Sequence, residues 1–283
     1  WLLDRWKKNW PNDYLNFIKC IQDIHPHIDI AVKNNVSKWQ KELDAELMPN
    51  NVLRLSESGL ISDKKGYDTG EWWVQDYSSQ LPVKCLTIGQ DDEILDLCAA
   101  PGGKTAQMLA LGAKVHSIDL SDKRIIRFKE NMRRLKFNPV IDNADILTYK
   151  TEKKWQKILL DVPCSSTGTI RKNPDILYSK NEKSVSNLVN LQTRLLEKSW
   201  SLLGKNGHLI YCNCSLEVEE GEMQIINFLK HHGDCQIDKI SSNLIEDIQD
   251  SVTEEGWLRI LPSGKKGVKN RDGFFIARLK KIS

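Results

Sequence analysis

From about residue 92 the chain alternates short apolar runs with amphipathic stretches. Ile94–Cys98, Lys114–Leu120, a short run near 139–142, Lys157–Val162 and His208–Cys212 read as strands. Between and after them, Lys104–Leu111, Asp122–Lys136, Leu188–Leu203 and about 217–230 read as helices. In Leu188–Leu203 the apolar stripe is Leu188, Leu191, Leu195, Leu196, Leu202 and Leu203. Strands alternating with helices predict a parallel sheet covered on both faces, an α/β doubly wound Rossmann-like domain. Ile158, Leu159 and Leu160 are apolar without alternation, as a strand buried on both faces requires. Trp257–Leu261 and Phe274–Leu279 predict a hairpin that closes the sheet.

Residues 1 to about 80 have a different texture. A basic helix over about 2–10 meets Pro11, and a second helix is predicted over 13–24. His27–Val32 and Val52–Leu55 read as strands. Ser37 and Gln40 have capping-box spacing, opening a helix with Trp39, Leu43 and Leu47 on one side. Residues 58–70, with Gly59, Gly66 and Gly70, read as a loop. This α+β segment is too small for a large core. The expected organisation is a small module and linker over 1–80 and the Rossmann-like domain over 81–283.

Composition narrows the class. No apolar run approaches the roughly 18 residues of a membrane span, and the start of the chain lacks a signal-peptide pattern. The seven cysteines are scattered at 20, 85, 98, 164, 212, 214 and 235, which points to a reducing cytosol and away from a disulfide framework. No Cys/His cluster completes a zinc set, so no metal is expected. A chain without an initiator Met is expected to be a fragment or a trimmed form. The net charge of +3 is too small to demand a nucleic-acid partner. Basic clusters at 123–136, at Arg171 and Lys172, and at Lys265, Lys266, Lys269 and Arg271 permit one; solvated surface is the plainer reading of each.

The first strand of the regular region ends in Asp96-Leu97-Cys98-Ala99-Ala100-Pro101-Gly102-Gly103-Lys104. Small residues between a strand and a helix let backbone approach a ligand at the carboxyl end of a sheet. The spacing matches neither the nicotinamide fingerprint nor the nucleotide phosphate loop. Asp119, ending the second strand, suits ribose hydroxyls, and Asp145, after the third, suits an adenine amino group. Asp161 ends the fourth. Carboxylates at successive strand ends are costly for packing alone.

The fourth strand runs into Asp161-Val162-Pro163-Cys164-Ser165-Ser166-Thr167-Gly168 and the fifth into Cys212-Asn213-Cys214-Ser215. Neighbouring strand exits in a doubly wound sheet place Cys164 and Cys214 at one pocket. A lone buried cysteine is usually an inert small hydrophobe. A pair beside an Asp is a better candidate for chemistry.

Three runs, CAAPGGK, DVPCSSTG with Arg171-Lys172-Asn173-Pro174-Asp175, and Asn213-Cys214-Ser215 with Glu219-Glu220, resemble the Sun- or Fmu-type (RsmB-like) bacterial rRNA cytosine-C5 methyltransferases. Trp1-Leu2-Leu3, Val74-Gln75-Asp76 and Asp272-Gly273-Phe274-Phe275 extend the resemblance over nearly the whole chain. It implies S-adenosyl-L-methionine held by Cys98, Ala99, Ala100, Pro101, Gly102, Gly103 and Lys104, with Asp119, Asp145 and Asp161. It implies Cys214 as the nucleophile on carbon 6 of a cytosine and Cys164 as the release residue. Asp161 is suited to protonate and orient the base.

The resemblance also implies RNA as partner, 16S rRNA first, with residues 1–80 as the RNA-binding module. The family's N-terminal NusB-like domain is missing from this stretch of sequence. Arg124, Arg171 and Lys172 are the candidates for contacts to the RNA backbone. A monomer in the cytoplasm is expected. Where the family has Thr before the nucleophile, this chain has Asn213.

The alternatives are a tRNA cytosine-C5 methyltransferase and a non-catalytic RNA-binding ribosome assembly protein. A DNA cytosine methyltransferase would take its nucleophile from the Pro163-Cys164 pair instead. An amino-methyltransferase would need a Pro-Pro-Tyr run that Val162-Pro163-Cys164 does not supply.

Overall fold

The computed structural model describes residues 1–21, 26–56, 59–241, 245–246, 249–262 and 270–282. Residues 22–24 of the expected second helix, residue 58 of the expected loop, and Lys265, Lys266 and Lys269 lie outside the described residues.

Two helices open the chain, α1 (Leu2–Asn9) and α2 (Tyr14–Ile21). A small sheet unit follows, with β1 (Ile28–Val32), α3 (Val36–Glu42), β2 (Ala45–Met48), β3 (Val52–Leu55) and β4 (Trp72–Val74). Its strands lie in the antiparallel order β2-β3-β1-β4. Helix α4 (Tyr77–Cys85) leads into the larger unit. There the chain runs β5 (Glu93–Leu97), α5 (Gly103–Ala110), β6 (Lys114–Asp119), α6 (Asp122–Arg134), β7 (Val140–Asn143) and β8 (Trp155–Asp161). It continues through α7 (Ile176–Ser179), α8 (Glu182–Leu202), β9 (Leu203–Asn213), α9 (Glu222–His231), β10 (Cys235–Ile237), β11 (Leu258–Ile260) and β12 (Phe274–Lys281).

The large sheet has the order β10-β12-β9-β8-β5-β6-β7, with β11 paired to β12. Strands β5 to β9 are mutually parallel where they pair. β12 is antiparallel to both β9 and β11, so the expected closing hairpin is present and also extends the sheet. After β7 the chain returns to the other side of β5 to lay down β8 and β9. That reversal makes a switch point between β5 and β8, where an open α/β sheet binds ligands outside its strand ends.

Alternate residues of the central strands feed two cores. Ile94, Leu159 and Ile210 pack with Leu81 and Val83 of α4 and Met108 of α5. Leu95, Ile158, Leu160 and Leu209 pack with Leu195, Leu196 and Trp200 of α8 and Phe228 of α9. On α6, Ile125, Phe128 and Met132 form the buried stripe, and the Ser121 side chain accepts a hydrogen bond from Arg124 N at its start.

Some local expectations change. Helix α3 is capped by Asn35, not Ser37: the Asn35 side chain accepts from Lys38 N. The helix stops at Glu42, and Leu47 stands in β2, so an apparent helical spacing spans two elements. Helix α8 starts ahead of Leu188 because Asn181 and Ser184 form a capping box, and Leu203 belongs to β9. Helix α9 begins at Glu222, leaving 217–221 as a loop.

The N-terminal segments pack against the large unit at several places, among them two aromatic contacts. Trp6 and Phe17 meet edge to face at 5.5 Å and pack on Ile170 and Leu216, which follow β8 and β9. Trp73 of the small sheet packs on Ala99, Ala100, Phe128 and Met132. The small sheet is tied to α4 by a buried ion pair: Arg54 donates to both oxygens of Asp29, at 2.7 and 3.1 Å, and Tyr77 N donates to Asp29 at 3.1 Å. Removing one partner of such a pair strands a buried charge. Arg54→Met is therefore expected to cost about 3–5 kcal/mol, measured by urea unfolding; a loss below about 1 kcal/mol would show that the pair is dispensable.

Candidate active site

The loop after β5 is built for close approach. Cys98 and Gly102 have left-handed backbones, with φ of 61° and 100°. A Cβ on Gly102 would stand 2.8 Å from Met132 and 2.9 Å from Phe128, so only glycine lets the loop lie against α6. Asp119, at the end of β6, accepts from Ala100 N and Ser121 N, both at 3.0 Å. Arg124 donates to the Ala100 carbonyl and lies 3.6 Å from Asp119.

A cavity of about 280 Å³ opens at the switch point, with Asp96, Cys98, Ala99, Ala100, Lys104 and Asp161 among its walls. Asp145 turns to its own loop, accepting from Leu147 N at 2.9 Å. Lys104 and Asp161 form an ion pair at 2.7 Å across the cavity. Burial alone would lower the Lys104 pKa; the charge of Asp161 and its hydrogen bond, together with the neighbouring Cys212 and Cys214, more than offset it and hold the ammonium above its usual range. Burial pushes Asp96 up to about 7 against the hydrogen bond from Thr105. Its Oδ1 has no hydrogen-bond partner among the described residues.

The paired ends of β8 and β9 bring the two cysteines together. Cys164 Sγ and Cys214 Sγ are 3.5 Å apart. Their surroundings decide which carries charge. The hydrogen bond from Cys164, against burial, lowers the Cys214 pKa, and Ser166 and Lys104 act in the same direction. Cys164 is raised well above an ordinary thiol, first by that same hydrogen bond and then by burial; Glu220 adds to it. Cys212 points the other way, its thiol 3.5 Å from Asp161 Oδ1, and burial raises it as well. Cys98 is raised by burial too. Of these four thiols, Cys214 is the one whose surroundings lower its pKa.

Asn213 has a clear place in this loop. Its Nδ2 donates to the Glu220 carbonyl at 2.8 Å, and its Oδ1 accepts from Ser215 N at 3.0 Å. It thereby fixes the turn that presents Cys214. Gly168 closes the other side: its N–H donates to the Cys214 carbonyl at 2.9 Å. A Cβ there would stand 2.2 Å from the Gly273 carbonyl oxygen. Sequence reasoning had no signal for this three-way approach beyond the presence of both glycines in their runs.

Arg171 and Lys172 correct an expectation. The Arg171 side chain is fully buried, and both residues ion-pair with Asp76 and Asp272, at 2.5–3.2 Å. They tie the segment after β8 to the start of α4 and of β12, so Arg171 has no face for an RNA phosphate. In this cluster burial, then Asp76, pushes Asp272 up to about 7. Asp76 itself is held low by Lys172 and Arg171 against burial. Arg271, from another basic cluster, is also buried. Arg124 is half exposed, but its contacts are to Ala100 in the loop after β5 and to Asp119 at the end of β6.

The family described as 16S rRNA methyltransferase RsmB/F matches residues 83–280. The chain belongs to that family. Ribosomal RNA small subunit methyltransferase B of Photorhabdus laumondii is 33% identical over 297 residues, which is 99% of this chain and 66% of that protein. This chain thus spans just under two thirds of the length of such curated relatives. Among solved structures, that of PH0851 superposes with a TM-score of 0.90 at 28% identity, covering 99% of this chain and 65% of that one. A methyltransferase homolog protein from Pyrococcus horikoshii gives a TM-score of 0.81 at 25% identity, with 99% and 94% covered. These neighbours share the fold of nearly the whole chain, the small antiparallel sheet unit and the α/β doubly wound unit together.

Treated with limiting iodoacetamide at pH 7, the protein is expected to be alkylated at Cys214 before Cys98, Cys164 or Cys212, because alkylation follows the thiolate. Peptide mass mapping gives the order. Earlier labelling of Cys164 would reverse the assignment of charge within the pair.

Proposed function

We propose that this chain methylates carbon 5 of a cytosine in RNA, through a covalent bond between Cys214 and carbon 6 of the base. The observation that carries the reading is the thiol pair: a cysteine poised as a thiolate, 3.5 Å from a second thiol, with the Lys104–Asp161 pair beside it. Carbon 5 of cytosine is a weak nucleophile. A thiolate added at carbon 6 moves electron density to carbon 5, which can then take an electrophilic carbon.

The loop after β5 fits S-adenosyl-L-methionine. It offers exposed backbone at a strand end, a cavity of about 280 Å³, and in Asp96 Oδ1 an acceptor that a ligand ammonium or hydroxyl would satisfy. Cys98 to Lys104, with Asp119, Asp145 and Asp161, would hold it, and its sulfonium supplies the methyl group. Asp119 also keeps the Ala100 backbone in place. Asp161, an ionised acceptor beside Lys104, would orient the base by accepting a hydrogen bond from its amino group. To protonate ring nitrogen 3 and draw off the charge that thiolate addition creates, it must first take up a proton from solvent. After methylation the carbon 5 proton must leave and the carbon–sulfur bond must break. Cys164, kept as the thiol, would give its proton to the departing Cys214 sulfur, while the carbon 5 proton would pass to water and Cys164 would be reprotonated from solvent.

The target base must be unstacked for a thiolate to reach carbon 6 from above the ring. We assign RNA binding to residues 1–80, with the catalytic unit over 81–283. The substrate we propose is small-subunit ribosomal RNA, in keeping with the printed names of the relatives. Localisation with the ribosomal RNA, in the cytoplasm, goes with that substrate.

Mixing the protein and cofactor with 16S rRNA carrying 5-fluorocytidine tests this directly, because fluorine cannot leave carbon 5 as a proton does. The expected result is a denaturation-resistant adduct in wild type, absent in Cys214→Ala, whose turnover falls on the order of a thousandfold or more. An adduct that survives in Cys214→Ala but is lost in Cys164→Ala, or one formed only on matched DNA, would replace this reading with the DNA-type mechanism.

A further inference from the structure

Glu220 is fully buried and stands between the two loops that carry the cysteines. Its carboxylate accepts four hydrogen bonds. Ser165 N donates to Oε1 at 2.9 Å and Gln192 Nε2 to Oε1 at 2.9 Å. Ser165 Oγ and Ser215 Oγ both donate to Oε2, the latter at 2.5 Å. Its own carbonyl accepts from Tyr211 Oη at 2.7 Å and Asn213 Nδ2 at 2.8 Å. Ser165 directly follows Cys164, and Ser215 directly follows Cys214. One side chain therefore grips both cysteine loops at the residue next to each thiol, and fastens them to α8 through Gln192.

An apolar residue would fill the same space at less desolvation cost. A buried carboxylate with four donors is the arrangement that fixes two separate loops in one mutual geometry. We propose that Glu220 is a positioning residue: acting through Ser165 and Ser215, it sets the 3.5 Å spacing of Cys164 and Cys214 without itself touching substrate. For the reaction this rests on the thiol mechanism proposed above, but the spacing can be read without any substrate. The negative charge of Glu220 also helps keep Cys164 protonated, so the residue orders the pair in charge as well as in space.

Glu220→Gln keeps the volume and part of the hydrogen bonding, but removes the charge and turns one acceptor into a donor facing two hydroxyls. Ser215→Ala removes one of the four donors to Glu220, and with it the acceptor of Glu217 N, and serves as the milder variant, should Glu220→Gln fold poorly. Each would be compared with wild type in two assays. In the first, diamide takes one hydrogen from each thiol to close a Cys164–Cys214 disulfide, itself reduced to the hydrazine, and mass mapping follows the rate. In the second, steady-state methylation of RNA is split into kcat and KM.

The expected result for Glu220→Gln is disulfide closure about tenfold slower. Its kcat should fall on the order of 100-fold, because misplacement of the reacting groups acts on the chemical step. KM for RNA should stay within about twofold. Ser215→Ala should move the same quantities in the same direction by less. Unchanged closure rate and kcat, even with a lowered melting temperature, would reduce Glu220 to a packing role and overturn the proposal. If wild type methylates no RNA, the functional reading fails, and the closure rates alone decide for or against Glu220.

Discussion

The parallel pairing of β8 with β9 places side by side two strand ends that are 51 residues apart, with Asp161 in register with Cys212. Each strand then turns out of the sheet in its own loop, and the loops meet at Cys164 and Cys214. Neither cysteine could reach the other from a sheet of different order. The site thus depends on backbone hydrogen bonding deep in the molecule, where β8 and β9 are covered by α8 on one face and α4 on the other. Loops on such a frame lose little further freedom on adopting a working geometry, which is what positioning by a rigid scaffold means.

Charge is distributed over that frame with the same economy. Asp96, Asp119 and Asp161 end three strands, and three uncompensated carboxylates so close would repel. Lys104 neutralises Asp161, Arg124 lies near Asp119, and Asp96 is pushed up to about 7 by burial and hydrogen-bonded to Thr105. The ammonium of Lys104 also favours the charge on Cys214, while the buried Glu220 disfavours it on Cys164. Two chemically identical thiols are made unequal by what stands behind each. In the mechanism proposed above, that inequality would assign one to attack and the other to hold a proton.

Much of this was legible in the chain because the relevant signals are local. The apolar runs of β5, β8 and β9 and the stripe of α6 follow from periodicity. The small residues after β5 announce a strand-to-helix turn for a ligand. The shared pocket of Cys164 and Cys214 follows once the sheet is taken as doubly wound. What escaped was set by distant partners. Arg171 and Lys172 look like a free basic pair because Asp76 and Asp272, roughly a hundred residues away on either side, leave no mark on the local sequence. β2 and β4 are four and three residues long and exist only by pairing with β3 and β1. Glu220 falls in the stretch read as a helix over about 217–230, and only the fold shows that it is buried between the cysteine loops. The family resemblance carried the proposed roles of the cysteines; the geometry adds a physical basis for that proposal.

The central claim is that Cys164 makes Cys214 a thiolate by hydrogen-bonding it, and the rate of Cys214 alkylation against pH tests it most directly. In wild type the rate should inflect below the value of about 8.5 for a free thiol. In Cys164→Ala, with the donor gone and the site still buried, the inflection should move up, because the charged form has lost its partner. An inflection that stays in place in Cys164→Ala would contradict the account and leave Lys104 and Ser166 as the source of the Cys214 thiolate.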